Sequence, residues 1–273
     1  MTFNFSSTRL SVLRSTLIAA AVFGGVQAAL AAPVLPNLAT APVGWTTDRY
    51  DPASFGNVGA YQGRSNVLGI SIDSSTDLAN RPSGFNNSFY NTQGRQTVVT
   101  GGAGSVIAAD LYIESSWGNA TNGYVRSDMW GVMSNFSLTP TLVYPIIGFT
   151  NQGGVARLRV WDGDVGWIDV GTPTAFGAWT ALAIEFTGSS FDFFVDGAMV
   201  YSDMTINGST GFSAAILQAY NFADPVLFPG ISTTAYTANW SNPLGAAVPE
   251  PGSLALIAVA LAGLAATQRR RVL

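Results

Sequence analysis

The chain has 273 residues, and all 12 of its basic residues are arginine, because lysine, histidine and cysteine do not occur. Those absences remove the Ser-His-Asp triad, the cysteine nucleophile, disulfides, zinc held by nitrogen or sulfur, lysine Schiff bases and the Walker loop. A hydrophobic share of 48%, a charged share of only 10% and 30 glycines describe a chain that buries a sizeable core and turns often, which excludes disorder and coiled coil.

At the N-terminus, Arg9 and Arg14 precede an apolar stretch from Leu17 to Val26 that closes on Ala29-Leu30-Ala31. Charge, apolar run and small residues in that order predict a secretory signal peptide over 1–31, cut after Ala31. A run of that length falls short of the about 20 residues that cross a bilayer. Residues 32–247 contain no linker and suit one large all-β domain. Apolar runs such as Val67–Ile72, Asp110–Ile113 and Ala181–Phe186 recur between clusters of Gly, Asn, Asp and Ser, without helical periodicity. That rhythm predicts a sandwich of many short strands, a jelly roll in our reading.

Two hairpins have a definable register. Leu158, Val160, Ile168 and Val170 alternate with other residues about the loop 162–166, which pairs Trp161 with Trp167 and Arg159 with Asp169. Further on, Asp196-Gly197 supplies the positive φ angles of a type I′ turn, so that Val195 faces Ala198 and Phe193 faces Val200. The stretch from Trp179 to Tyr201, with its Ile-Glu-Phe strand and its Phe-rich strand ending in Val-Asp-Gly, resembles the concanavalin A-like and laminin-G-like (LamG-like) family. The resemblance implies a two-sheet jelly roll with one concave face, a scaffold used for glycan binding, protein binding and glycan hydrolysis alike.

The C-terminal segment, 248–273, has three parts. Pro249-Glu250-Pro251 cannot continue a helix or a central strand and stays extended, open to a protease. Behind it, Leu254 to Ala266 form an apolar run that spans a bilayer only marginally, and Arg269-Arg270-Arg271 hold its end in the cytoplasm. Val248 to Arg271 resembles the PEP-CTERM sorting domain of Gram-negative bacteria. This implies a hydrophobic sorting helix that anchors transiently in the membrane, an exosortase as processing partner, cleavage at Pro249-Glu250-Pro251, and delivery to the cell surface or an exopolysaccharide matrix. Segments such as Asp48-Arg49-Tyr50, 89–95 and 207–212 also resemble PEP-CTERM proteins, which implies a shared fold and says nothing of activity. Removing the five terminal arginines and Glu250 leaves seven cations against fifteen anions, a balance near −8 that argues against nucleic acid and anionic lipid surfaces.

Candidate sites are few. Glycoside hydrolysis needs two facing carboxyl groups about 5–10 Å apart. Only Glu114 and Glu185 are glutamates in 32–247, and the Glu-x-Asp-x-x-Glu cluster of laminarinase-like proteins does not occur. Glu185, opposite in face to Leu182, Ile184 and Phe186, reads as solvated or paired with an arginine. No cofactor and no metal site is expected. Calcium is the one common metal that the available oxygen ligands suit, with Asp162-Gly163-Asp164 and 73–77 as its nearest approaches, and Asp and Gly also populate such turns for backbone reasons alone.

Trp161, Trp167, Arg159 and Asp169 form the candidate glycan-binding group, because flat rings beside hydrogen-bonding groups suit the apolar faces and hydroxyl rims of sugars. The alternative is that both rings pack beneath a neighbouring loop or strand. Trp117, Trp130 and Trp179 read as core or rim. The expectation is an exported, non-enzymatic protein that binds exopolysaccharide or another surface glycan, or serves as a structural matrix component, with a glycan-acting hydrolase as the alternative.

Overall fold

A computed structural model describes residues 33–34, 36–73, 82, 84, 91–120, 123–134, 143–222 and 235–243. The signal peptide and the C-terminal sorting helix expected from the sequence lie outside the described residues, as does most of the 73–77 calcium candidate. Among the described residues no helix is long and apolar enough to cross a membrane.

The strands are β1 (Trp45–Thr47), β2 (Ser54–Tyr61), β3 (Arg64–Ile72), β4 (Thr92–Gly101), β5 (Ser105–Ile113), β6 (Arg126–Ser134), β7 (Ile146–Thr150), β8 (Arg157–Asp162), β9 (Gly166–Gly171), β10 (Ala178–Phe186), β11 (Phe191–Val195), β12 (Ala198–Asp203), β13 (Gly211–Tyr220) and β14 (Tyr236–Ser241). They form two seven-stranded antiparallel sheets. One runs β1-β4-β13-β6-β7-β8-β9 and the other β12-β11-β10-β5-β14-β3-β2. Several neighbours are distant in sequence, so the strands cross between the sheets. The fold is the all-β, two-sheet jelly-roll sandwich that the strand rhythm leads one to expect.

Alternation makes the core. In β10, Leu182, Ile184 and Phe186 are buried while Ala181, Ala183 and Glu185 are half-buried on the other face, the period-2 pattern of a strand with one apolar side. Phe191 and Phe193 of β11, Ile107 and Leu111 of β5, and Leu68 and Ile70 of β3 join them from the same sheet. Met129, Ile147, Phe149, Leu158, Val160 and Leu217 meet them from the opposite sheet. Burial of this size holds the domain together without disulfides.

Both hairpins form where expected. In the first, Trp161 pairs with Trp167, Val160 with Ile168 and Arg159 with Asp169. In the second, Asp196 (φ 48°) and Gly197 (φ 79°) make the turn, and Asp196 adds a side-chain bond, accepting from the Ala181 amide at 2.9 Å. Val195 pairs with Ala198 as expected, but Phe193 pairs with Tyr201, not Val200. Opposite the Phe193–Phe194 step, Val200 of β12 is left unpaired, the extra residue of a bulge that period-2 counting omits. A Cβ on Gly197 would meet no atom within 4 Å, so a substitution there is penalised by backbone strain alone. Gly197→Val is expected to destabilise the fold by about 1–3 kcal/mol. An unchanged urea midpoint would mean that the turn does not restrain this hairpin.

Candidate functional site

The first sheet turns its core face inward and carries a cleft on its outer face. Because residues in register share a face, the pairings define the floor of the cleft row by row. One row runs Ile216, Trp130, Ile146, Trp161 and Trp167 across β13, β6, β7, β8 and β9. The next runs Gly94, Gln218, Asp128, Gly148, Arg159 and Asp169, starting at β4. Arg126 pairs with Thr150 one step further along β6 and β7. The cleft encloses about 470 Å³, lined by Arg126, Trp130, Tyr144, Trp161, Trp167 and Tyr220, together with Thr92 and Ile146.

Its aromatic rim is built from three places in the chain. Trp161 and Trp167 meet edge to face, ring centres 5.3 Å apart at 73°. Trp130 meets Tyr144 at 5.6 Å and 67°, and the Arg49 guanidinium lies 4.8 Å from the Trp130 ring centre. These rings pack with Val132, Ile146 and Ile216 as a small second apolar cluster, separate from the main core. Trp130 is 2% exposed, whereas Trp161 and Trp167 are half-buried. Arg49 pairs with Asp48. Burial raises the Asp48 carboxyl despite that partner, and burial together with the Asp48 charge raises the Tyr144 phenol.

Behind Arg126 lies a buried polar network across β13 and β6. Asp128 accepts from Arg126 Nε through Oδ2 and from Gln218 Nε2 through the same oxygen at 3.0 Å. Its Oδ1 and the Gln218 Oε1 are buried without a hydrogen-bond partner. From the core side, Trp240 Nε1 donates to Ser127 Oγ at 3.0 Å, and Ser127 Oγ donates to the Gln218 carbonyl at 2.6 Å. The Tyr236 hydroxyl lies 2.8 Å and 2.7 Å from the carbonyls of Arg126 and Tyr220. Burial drives that phenol's pKa far upward, so it remains a neutral tie between β6 and β13.

Arg159 is 4% exposed. Its Cζ rests 3.8 Å from the Trp167 ring centre, and the Arg126 Cζ lies 4.7 Å from the same centre. Burial first, then the neighbouring Arg126 charge, lower its pKa to about 9. Asp169, its partner in the strand register, binds Arg157 Nε at 2.9 Å instead, at the exposed edge of the sheet. Of the four candidate residues, Trp161 and Trp167 line the cleft, Arg159 lies buried beneath the Trp167 ring, and Asp169 binds Arg157 at the sheet edge.

Arg126, Asp128, Trp130, Tyr144, Gln218 and Tyr220 were not among the sequence candidates. The alternation Arg126-x-Asp128-x-Trp130 carries a readable signal, since a strand puts all three on one face. Nothing local tells which face that is.

The other candidates are engaged in structural bonds. Asp162 Oδ1 accepts the Asp164 and Val165 amides, each at 2.8 Å, and Oδ2 accepts the Tyr201 hydroxyl at 2.7 Å. Burial pulls this carboxyl upward, but the Tyr201 and backbone hydrogen bonds outweigh it and hold it below the usual value. The loop is a side-chain-capped turn of the kind that Asp and Gly form for backbone reasons. Glu185 is neither fully solvated nor bound to an arginine among the described residues. It is half-buried opposite Asp192, and burial together with the Asp192 charge raises its pKa. Glu114 accepts the Tyr61 hydroxyl and lies on the other sheet's side.

No curated protein sequence matches the chain significantly. Among solved structures the chain is similar to a Bacillus licheniformis β-glucanase, at 14% identity and a TM-score of 0.46, over 75% of this chain and 93% of that one. A prokaryotic β-1,3-1,4-glucanase (lichenase) derived from a mouse hindgut metagenome gives 13% identity and a TM-score of 0.45, over 77% and 98% of the two chains. A carbohydrate-binding module from Bacillus subtilis gives 14% and 0.35, over 73% and 92%. At the C-terminus, residues 247–271 match the PEP-CTERM protein-sorting motif. The chain therefore carries the sorting signal of proteins secreted across the inner membrane of Gram-negative bacteria and processed by an exosortase.

Proposed function

We propose that the protein is a non-enzymatic glycan-binding component of the cell surface or exopolysaccharide matrix, with the outer-face cleft as its binding site. The observation that carries this reading is the juxtaposition of half-buried Trp161 and Trp167 with the Arg126-Asp128-Gln218 network. Sugar rings present apolar C–H faces to aromatic walls and hydroxyl rims to hydrogen-bonding groups, here Arg126, Thr92, Tyr144 and Tyr220 of the lining, and a cleft of this size accommodates a short stretch of polysaccharide. Binding is favoured over hydrolysis because Asp128 is committed to Arg126 and Gln218, whereas hydrolysis needs a free acid and base pair. Asp169 lies outside the cleft, where it fixes Arg157.

The test is affinity electrophoresis of the full chain, in mild detergent, through gels containing a panel of exopolysaccharides, with and without calcium. Retardation by at least one polysaccharide, unchanged by chelation, is expected. Passage through every gel would favour a structural matrix role, and release of reducing ends would establish a hydrolase.

The domain plan belongs to the same reading: the charged, apolar and small-residue order of 1–31 marks a signal peptide removed on export, 32–247 forms the mature domain, and 248–273 anchors it transiently. The marginal apolar span backed by three arginines makes the anchor an intermediate. Mass spectrometry of the surface-extracted protein is therefore expected to find the mature C-terminus near Pro249-Glu250-Pro251. An intact peptide reaching Leu273 would overturn this plan.

A further inference from the structure

Every described arginine except one has a carboxylate partner: Arg49 with Asp48, Arg64 with Asp110, Arg95 with Asp51, Arg126 with Asp128, and Arg157 with Asp169. The exception, Arg159, is also one of the most buried, and its Nε and Nη2 have no hydrogen-bond partner. A buried, unpaired cation opposes folding unless something compensates it. Here the contact compensation is one aromatic ring, Trp167, and the Asp128 and Asp169 carboxylates favour the charge without bonding to it. The second guanidinium on that ring, Arg126, repels it.

The two partnerless nitrogens have a specific geometry. Nε–H and the adjacent Nη2–H form the side-on edge of a guanidinium, two parallel donors spaced to match the two oxygens of one carboxylate. Beside them on the same row stand two partnerless acceptors, Asp128 Oδ1 and Gln218 Oε1. The acceptors suit sugar hydroxyls. Arg126 and Arg159 against Asp128 give this floor one net positive charge, inside a chain whose formal net charge is −4.

We infer that the cleft selects an acidic polysaccharide, with the carboxylate of a uronic acid residue held bidentate by Arg159 and its ring hydroxyls held by Asp128 and Gln218. This inference rests on the glycan-binding reading of the same cleft and adds the chemical class of the sugar. Arg159, Asp128 and Gln218 are 4%, 0% and 1% exposed and lie behind the cleft lining, with the Trp167 ring over the guanidinium. The binding mode therefore requires that ring, on the edge strand β9, to tilt aside and stack on the sugar. A net-negative protein does not gather polyanions non-specifically, so retention of one reports a site.

The test is isothermal titration of the full chain, in mild detergent, with oligogalacturonate, oligomannuronate and oligoglucuronate. Each is compared with its carboxyl-reduced neutral counterpart, and a sulfated oligosaccharide is included. One oligouronate is expected to bind at least tenfold tighter than its reduced form. Arg159→Gln should abolish that difference, and Arg159→Lys, which keeps the charge but loses the fork, should do so nearly as well. Because the variant relieves a buried unpaired charge, Arg159→Gln should also raise the unliganded melting midpoint by about 2–6 °C. A merely structural arginine would lower it, and that result would overturn the proposal. Equal binding of acidic and reduced forms, unaffected by Arg159→Gln, would overturn the acidic class and leave the glycan cleft standing. Binding of the sulfated sugar alone would overturn the carboxylate assignment. No binding by any member, acidic or neutral, would remove both readings.

Discussion

Replacing Trp161 or Trp167 with alanine is expected to weaken glycan retention at least tenfold while lowering stability by only about 1–2 kcal/mol. Aromatic side chains that wall a site dominate binding energies, and a hot-spot loss of about 2 kcal/mol exceeds a tenfold change in affinity. The stability cost stays modest because both rings are half-buried and belong to the small outer cluster, not to the main core. Trp130, 2% exposed in the same cluster, sets the contrast: Trp130→Ala should cost about 3–5 kcal/mol, as fully buried aromatic truncations do. Trp167→Ala should weaken binding more than Trp161→Ala, since it also strips the ring that accompanies Arg159 and Arg126. Affinity electrophoresis paired with thermal melts reads both quantities. A loss near 4 kcal/mol in both variants would identify the rings as structural and remove them as a site.

Gly148→Ala should be among the most destabilising single-methyl additions in the domain. Gly148 lies in β7 between β6 and β8, at the floor of the cleft. A Cβ there would stand 2.3 Å from Asp128 Oδ1, 2.4 Å from the Ser127 carbonyl oxygen and 2.6 Å from Asp128 Cα. Two of these three are backbone atoms, so no rotamer change relieves the clash, and β6 and β7 must separate. Overpacking of this kind costs about 1–3 kcal/mol or more, and Gly148→Val should exceed Gly148→Ala. The displaced Asp128 would also release Arg126 and Gln218, so glycan retention should fall together with stability. An unchanged melting midpoint in Gly148→Ala would show that the strands open at no cost, contrary to a tightly paired floor.

Much of this protein was legible in local sequence because the determinants are local. The sorting signal at 247–271 is contiguous, and its order of Pro-Glu-Pro tripeptide, apolar run and arginines carries its meaning without a fold. Trp161 and Trp167 pair as the 162–166 loop implies, since a short hairpin is set by turn chemistry and by a repeat of two. The burial of Leu182, Ile184 and Phe186 follows from the same repeat.

The bulge at Val200, opposite Phe193 and Phe194, escaped that counting, because one inserted residue leaves no mark in the apolar run from Ala198 to Tyr201. The cleft escaped it for a larger reason. Asp128 and Gln218 are 90 residues apart in sequence, and they meet because β13 is inserted between β4 and β6. Strand order is decided by how two whole sheets bury their apolar faces against each other, a sum over many distant contacts that no window of sequence contains. The same packing turned Asp169 to Arg157 and left Arg159, its partner in the register, buried against Trp167. Local pattern alone determined that Arg159 and Trp161 share a face. Only the assembled sandwich decided that this face would be a cleft, and that its one unpaired arginine would lie at the floor.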